Sequence, residues 1–178
     1  IDFSAPAALP AVAAYVRATG TPLLSGVTGL SDQALEVFTE LGRYAPVIHS
    51  ANYSLGVAVF RRALEEVSGV LKQDFDIEIV EKHHRLKLDA PSGTALALGD
   101  SVNEALGGDY EYVFDRSERR AKRPEKEIGF SAVRGGSIVG EHDVIFAGTD
   151  EVVTFSHSAY SKAIFAKGAI AAAKSGSS

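Results

Sequence analysis

Apolar and polar residues follow two rhythms along this chain, and the change between them divides it. Residues 7–19 are rich in Ala and Val and favour a helix that Gly20 stops. Pro22-Leu23-Leu24-Ser25-Gly26 reads as a short apolar strand ending in a turn. Ser31 is placed to cap a second helix, and Asp32 suits its first turn. Leu35, Phe38 and Leu41 mark the apolar face of that helix, and Gly42 closes it. Pro46-Val47-Ile48-His49 reads as another strand. Alternating strands and helices predict parallel pairing with crossover helices.

Residues 55–71 carry the longest helical pattern, with Phe60, Ala63, Leu64, Val67, Val70 and Leu71 at helical spacing. Residues 76–80 alternate polar and apolar, which predicts a strand with one buried face. Residues 94–106 form the next helix, ended by Gly107-Gly108. The rhythm then shortens. Segments 127–133, 137–142, 144–147 and 151–158 are rich in β-formers, and Gly135-Gly136 and Gly148-Thr149-Asp150 read as hairpin turns. A helix over 160–174 closes the pattern. The expected fold class is α/β. A parallel α/β unit opens the chain, and the division falls near 52–55. A second α/β domain spans 55–163 and has a mixed, largely antiparallel sheet with helices on one face.

Composition narrows the function without choosing it. The 178 residues are 46% hydrophobic and 23% charged, typical of a globular protein. No apolar run is long enough to span a bilayer, and no signal-peptide pattern opens the chain. A net charge of -5 gives no reason to expect nucleic-acid binding. The absence of Cys excludes disulfides and thiolate metal sites and fits a reducing cytoplasm. The chain contains no Met or Trp, and ends on Lys174-Ser175-Gly176-Ser177-Ser178, which reads as a linker or cloning scar. These features lead to the expectation of a fragment or an edited chain.

The chemistry concentrates in one segment. Within seven residues stand His83, His84, Lys87 and Asp89, followed by Pro91-Ser92-Gly93-Thr94 at the start of a helix. Imidazoles titrate near neutral pH and can deliver a proton. Lys87 can bind a carboxylate or supply a proton. Free amides at a helix start favour an anion, and Gly93 allows close approach. Adjacent histidines on an extended chain point to opposite sides, so both cannot chelate one ion, and no metal is expected. An ordinary helix cap is the plain reading of Ser92–Thr94. Its attachment to His-His-Arg-Leu-Lys favours an anion site. Two loops, Ser25-Gly26-Val27-Thr28-Gly29 and His49-Ser50-Ala51-Asn52-Tyr53, end strands where ligands often bind. No G-x-G-x-x-G occurs, so dinucleotide binding is not independently indicated. The charged run 116–127 reads as a solvated loop, or more sharply as a basic flap near a dianion.

The segment Glu78-Ile79-Val80-Glu81-Lys82-His83-His84-Arg85-Leu86-Lys87-Leu88-Asp89-Ala90-Pro91-Ser92-Gly93-Thr94-Ala95 resembles the signature of the 4-hydroxy-tetrahydrodipicolinate reductase (dihydrodipicolinate reductase) family, NAD(P)H-dependent oxidoreductases of lysine and diaminopimelate biosynthesis. The resemblance extends through Gly26-Val27-Thr28-Gly29, Ser50–Ser54, Val133-Arg134-Gly135-Gly136 and Ile138-Val139-Gly140-Glu141-His142. It implies a partial Rossmann-like cofactor domain over 1–54, with 164–178 returning to it, and a substrate-binding, tetramerising domain over 55–163. It also implies a cytoplasmic homotetramer acting on a small dicarboxylate, with no nucleic-acid or membrane partner. His83 would be the general acid and Lys87 the second proton donor or carboxylate anchor. His84, Gly93 and Thr94 would bind the substrate. Gly26, Val27, Thr28, Ser50, Ala51, Asn52 and Tyr53 would line NADPH or NADH.

The chain departs from the family pattern in places. The family's opening strand, its Gly-rich phosphate loop and its C-terminal tail have no counterpart here. Val27 stands where Thr is usual, Ala5 where Arg is common and Leu86 where His is common. An alternative expectation is therefore a truncated or engineered non-catalytic module for substrate binding and oligomerisation. A weaker one is a Rossmann-type dehydrogenase acting on an amino acid or semialdehyde.

Overall fold

The computed structural model describes residues 1–72, 74–117 and 119–175. It divides into two compact units, Ile1–Leu55 with Ala163–Ser178, and Gly56–Lys162.

The first unit begins with a 3₁₀ turn at Pro6–Ala8 that runs into α1 (Leu9–Thr19). Gly20 caps α1 at φ 66°, a left-handed conformation that suits glycine. β1 (Leu23–Ser25) pairs in parallel with β2 (Val47–His49). Between them runs α2 (Asp32–Leu41), whose N-terminus is capped by the Ser31 side chain accepting from the Ala34 amide. Leu9, Ala13, Val16, Leu23, Phe38, Leu41 and Ala45 form its core. A smaller cluster of Leu24, Tyr53 and Ala169 seats α5 (Ala163–Ser175). Asp2 bridges Ser25 in parallel, so the strand-like start of the chain extends this small sheet. Lys174 and Ser175, the start of the expected linker, end α5, and Gly176–Ser178 lie outside the described residues.

The second unit is a five-stranded sheet in the order β4-β5-β3-β6-β7. Its strands are β3 (Asp76–His83), β4 (Glu111–Phe114), β5 (Glu127–Arg134), β6 (Gly140–Ala147) and β7 (Val152–Ala159). β4, β5 and β3 are parallel, β6 runs antiparallel to β3 and β7 antiparallel to β6, so the sheet is mixed. The helices α3 (Leu55–Leu71) and α4 (Gly93–Ala105) contribute Phe60, Leu64, Ala95, Leu98 and Val102 to a core with Ile77, Ile79, Ile128, Phe130, Val144 and Phe146. Burying each large side chain of this set contributes roughly 1.5–3 kcal/mol.

Some details differ from the pattern reading. Val70 is 82% exposed, because the buried stripe of α3 runs through Val57, Phe60, Leu64 and Ser68. Segments 137–142 and 144–147 join from Gly140 onward as the single strand β6, whose alternation continues unbroken through Asp143, while 137–139 stay outside it. Gly135-Gly136 is no hairpin turn: β3 lies between β5 and β6, so this link crosses over the end of β3. Gly148–Asp150 does turn a hairpin, with Asp150 at φ 65° and the Gly148 amide bonded to the Glu151 carbonyl at 2.9 Å.

Candidate active site

β3 supplies the site by its alternation. Ile77, Ile79, Glu81 and His83 all fall on its buried face. The first two join the core, and the same face then becomes polar at the carboxyl end of the strand. His83 is 8% exposed and Glu81 is 1% exposed. Glu81 Oε2 meets His83 Nδ1 at 2.6 Å. Arg134, at the end of β5, grips Glu81 with both terminal nitrogens, at 2.8 Å to Oε2 and 2.7 Å to Oε1. The Ser92 amide donates to Glu81 Oε1 at 3.0 Å. Burial alone would raise the Glu81 pKa. The hydrogen bonds from Arg134, His83 and the Ser92 amide outweigh it and hold the carboxyl below its ordinary value.

A second histidine, His142 on β6, pairs across the sheet with Glu81. Its ring stands edge-on to His83, with centroids 5.2 Å apart. His142 Nε2 lies 3.0 Å from Ser92 Oγ, which also accepts the Ala95 amide as the cap of α4. Burial, with the neighbouring His83 adding to it, pushes the His142 pKa down to about 4. His142 is therefore neutral at physiological pH. His83 Nε2 faces Gly140, where a Cβ would come within 3.0 Å of it. The missing side chain leaves that nitrogen room.

Beyond His83 the chain turns over the end of the sheet. The Gly135 amide donates to the His83 carbonyl at 3.0 Å, and the Arg85 amide to the Gly136 carbonyl at 3.2 Å. Arg134 Nη2 reaches the Asp89 carbonyl at 2.6 Å. These bonds tie the loops after the parallel strands β3 and β5 together. A cleft of about 370 Å³ opens there, lined by His84, Arg85, Leu86, Gly136, Ser137, Val139 and Lys162. Its lining includes Arg85 and Lys162 and no carboxylate, so it suits an anion.

The expected substrate residues divide. His84 lines the cleft. Lys87 instead pairs with Asp89 Oδ1 at 2.8 Å. Burial tends to raise the Asp89 pKa, and the Lys87 hydrogen bond overrides it to a net lowering. Gly93 and Thr94 occupy the first turn of α4, beside the Ser92 cap. Pattern reading gave no role to Glu81, Arg134, His142 or Lys162. Only Glu81 left a local signal, as the third member of an alternation that ends at His83.

In the first unit the two expected cofactor loops both leave the carboxyl ends of parallel strands, β1 and β2. Tyr53 joins them, its hydroxyl donating to the Ser25 carbonyl at 2.8 Å, and the Ser50 amide adds a bond to the same oxygen at 3.2 Å. Ser50 Oγ receives the Asn52 amide, and Asn52 Oδ1 receives the Ser54 amide, which shapes the second loop. His49 Nε2 donates to the Val27 carbonyl at 3.0 Å while its ring stacks on Phe38. Gly26 lies against the Phe3 ring. The side chains of Val27 and Tyr53 are buried, and those of Thr28 and Ala51 are exposed. Gly29, at φ 72°, has open space beside its Cα. The Gly26–Gly29 turn is thus open at Gly29 and covered by Phe3 at Gly26.

The charged run 116–127 does not form a flap beside His83. Arg123 bonds Asp76 Oδ1 at 2.8 Å, Glu78 Oε1 at 3.1 Å and the Glu127 carbonyl at 2.6 Å. Arg116 pairs with the buried Glu127. These carboxylates stand at the amino ends of β3 and β5, the opposite end of the sheet from His83. Glu118 of this run lies outside the described residues.

Comparison with known proteins adds an independent line. Residues 1–53 match the family model described as "Dihydrodipicolinate reductase, N-terminus", and residues 56–178 match "Dihydrodipicolinate reductase, C-terminus". The 4-hydroxy-tetrahydrodipicolinate reductase of Caldanaerobacter subterraneus subsp. tengcongensis is 48% identical over 174 residues, covering 98% of this chain and 69% of that protein. The protein of the same name from Caulobacter vibrioides is 46% identical over 177 residues, with coverages of 97% and 69%. Among solved structures, a dipicolinate-bound dihydrodipicolinate reductase from Paenisporosarcina sp. TG-14 superposes with a TM-score of 0.74 at 22% identity. The match covers 98% of this chain and 67% of that one.

Proposed function

The chain belongs to the dihydrodipicolinate reductase family, and from that premise we propose that it reduces 4-hydroxy-tetrahydrodipicolinate to tetrahydrodipicolinate. The observation that carries this reading is the buried His83, held through Nδ1 by ionised Glu81, with Nε2 turned toward the open side left by Gly140. When bound, NADPH or NADH supplies a hydride, and the residue types here do not choose between the two nucleotides. The Gly26–Gly29 turn and the Ser50–Tyr53 loop would hold the nicotinamide end through backbone groups, Thr28, Ser50 and Asn52. Val27 and Tyr53 would act by shaping the turn from within.

Loss of the 4-hydroxyl of the substrate as water gives a conjugated C=C–C=N system. Hydride addition to that system leaves a carbanion-like or amide-like centre that needs one proton, so the hydroxy compound, NAD(P)H and H⁺ give tetrahydrodipicolinate, NAD(P)⁺ and water. His83 gives that proton from Nε2 and keeps the hydrogen on Nδ1 against Glu81. A dicarboxylate needs two anion sites. His84, with the cationic cleft beside it, serves one carboxylate, and the Gly93–Thr94 helix start serves the other. Lys87 leaves Asp89 to bind a carboxylate or to pass a proton. The unit Ile1–Leu55 with Ala163–Ser178 is read as the cofactor side, and Gly56–Lys162 as the substrate and tetramer-forming side, in a cytoplasmic enzyme.

Calorimetric titration with pyridine-2,6-dicarboxylate tests the substrate half directly. Each charge-assisted hydrogen bond contributes about 1.5–3 kcal/mol, so Lys87→Ala should weaken binding roughly 10- to 100-fold. Binding that is unaffected by Lys87→Ala and His84→Ala together would place the dicarboxylate elsewhere.

A further inference from the structure

Nothing in the strand requires a carboxylate at position 81. Ile77 and Ile79 precede it on the same buried face, and an apolar residue would continue the core. A charge buried there is costly unless every acceptor direction is used. Glu81 uses them fully. Oε1 accepts from Arg134 and the Ser92 amide, and Oε2 accepts from Arg134 and His83. The guanidinium and the amide hold their hydrogens at neutral pH, so the carboxylate stays ionised and has no proton to offer. The hydrogen in its 2.6 Å contact with His83 must therefore reside on Nδ1.

The geometry points to Glu81 as a positioning residue that holds His83 in the Nδ1–H form, so that Nε2 is the nitrogen exchanging its proton with substrate. Arg134 and the Ser92 amide keep this clamp rigid. The inference rests on His83 being the proton donor. When His83 loses its Nε2 proton, the neutral ring left behind is the tautomer that Glu81 already supports. The ring needs no reorientation before it is reprotonated. A purely structural Glu81 would impose no tautomer on its neighbour.

Glu81→Gln is the informative change. Either orientation of the amide turns an NH₂ toward two existing donors, either His83 with Arg134 or Ser92 with Arg134. Long-range proton–nitrogen correlation spectra of ¹⁵N-histidine-labelled chain, at a pH where imidazoles are neutral, report the tautomer of His83. Its signal is assigned by its loss in His83→Gln. The wild type should show the Nδ1–H form; Glu81→Gln should move toward Nε2–H in molecules whose NH₂ faces His83, and Glu81→Leu, which offers the ring no acceptor, should lose the Nδ1–H preference. In the reductase, kcat of Glu81→Gln should fall about 10-fold or more with KM little changed. A wild-type Nε2–H tautomer, or a Glu81→Leu variant that keeps the wild-type Nδ1–H preference with no acceptor beside the ring, overturns the assignment. If Glu81→Gln does not fold, the wild-type spectrum decides alone. Full kcat in His83→Ala would instead refute the proton-donor reading and leave the tautomer result standing.

Discussion

Replacing His142 by Gln removes a buried imidazole whose titration is coupled to folding. His142 is 4% exposed, and burial followed by repulsion from His83 lowers its pKa from 6.5 to about 4. Glu81 and Asp143 oppose that shift, and His157 adds to it. The folded value lies below the unfolded one, so the unfolded chain takes up the proton first as pH falls. This contribution is fully present above pH 6.5 and is lost as pH falls toward 4. The shift of roughly 2.5 units corresponds to about 3 kcal/mol in the acid limit, and about 2 kcal/mol of it is gone by pH 5. Gln keeps a polar group near Ser92 and does not titrate. Urea unfolding followed by circular dichroism at about pH 7.5 and pH 5 gives the comparison. The wild type should lose about 2 kcal/mol more than His142→Gln over that interval. Equal losses in the two proteins would show that His142 is not held neutral by burial.

Two further changes probe the same network. Arg134→Met leaves the Glu81 carboxylate buried with two donors removed, and should destabilise the protein by about 3–5 kcal/mol in urea unfolding. Gly140→Ala would place a Cβ 3.0 Å from His83 Nε2. It should lower kcat about 10- to 100-fold while leaving unfolding midpoints nearly unchanged, as steady-state kinetics and thermal melts would show.

The elements that repeat a single period were legible in the sequence. Residues 55–71 form one helix because Phe60, Leu64 and their neighbours keep helical spacing over the whole run. The strand before the histidines is legible too, but its apolar alternation marks it only as far as Val80. Its alternation in fact continues through Glu81 and His83, and the polar side chains at those positions hid the continuity. β4 is not legible because its four residues, Glu111–Phe114, carry too little pattern to stand out.

The site was half legible for a similar reason. His83, His84 and Lys87 are neighbours in sequence, and their residue types declare chemistry. Arg134, His142 and Lys162 reach the site only through sheet order and register. The crossover that places β3 between β5 and β6 leaves no local mark on the chain. The basic run 116–127 is largely exposed in its described residues, as a solvated loop would be, and does not form the alternative flap. Its arginines serve the buried Glu127 and the carboxylates of β3, which pairing alone reveals.

The central claim is that His83 delivers the proton that completes the reduction. Steady-state kinetics of His83→Ala in the reductase, with NADPH or NADH as hydride source, test it most directly. A lost proton donor should lower kcat by about 100- to 10,000-fold and leave KM for the dicarboxylate little changed. A variant that kept the full kcat, or lost only affinity, would contradict the account.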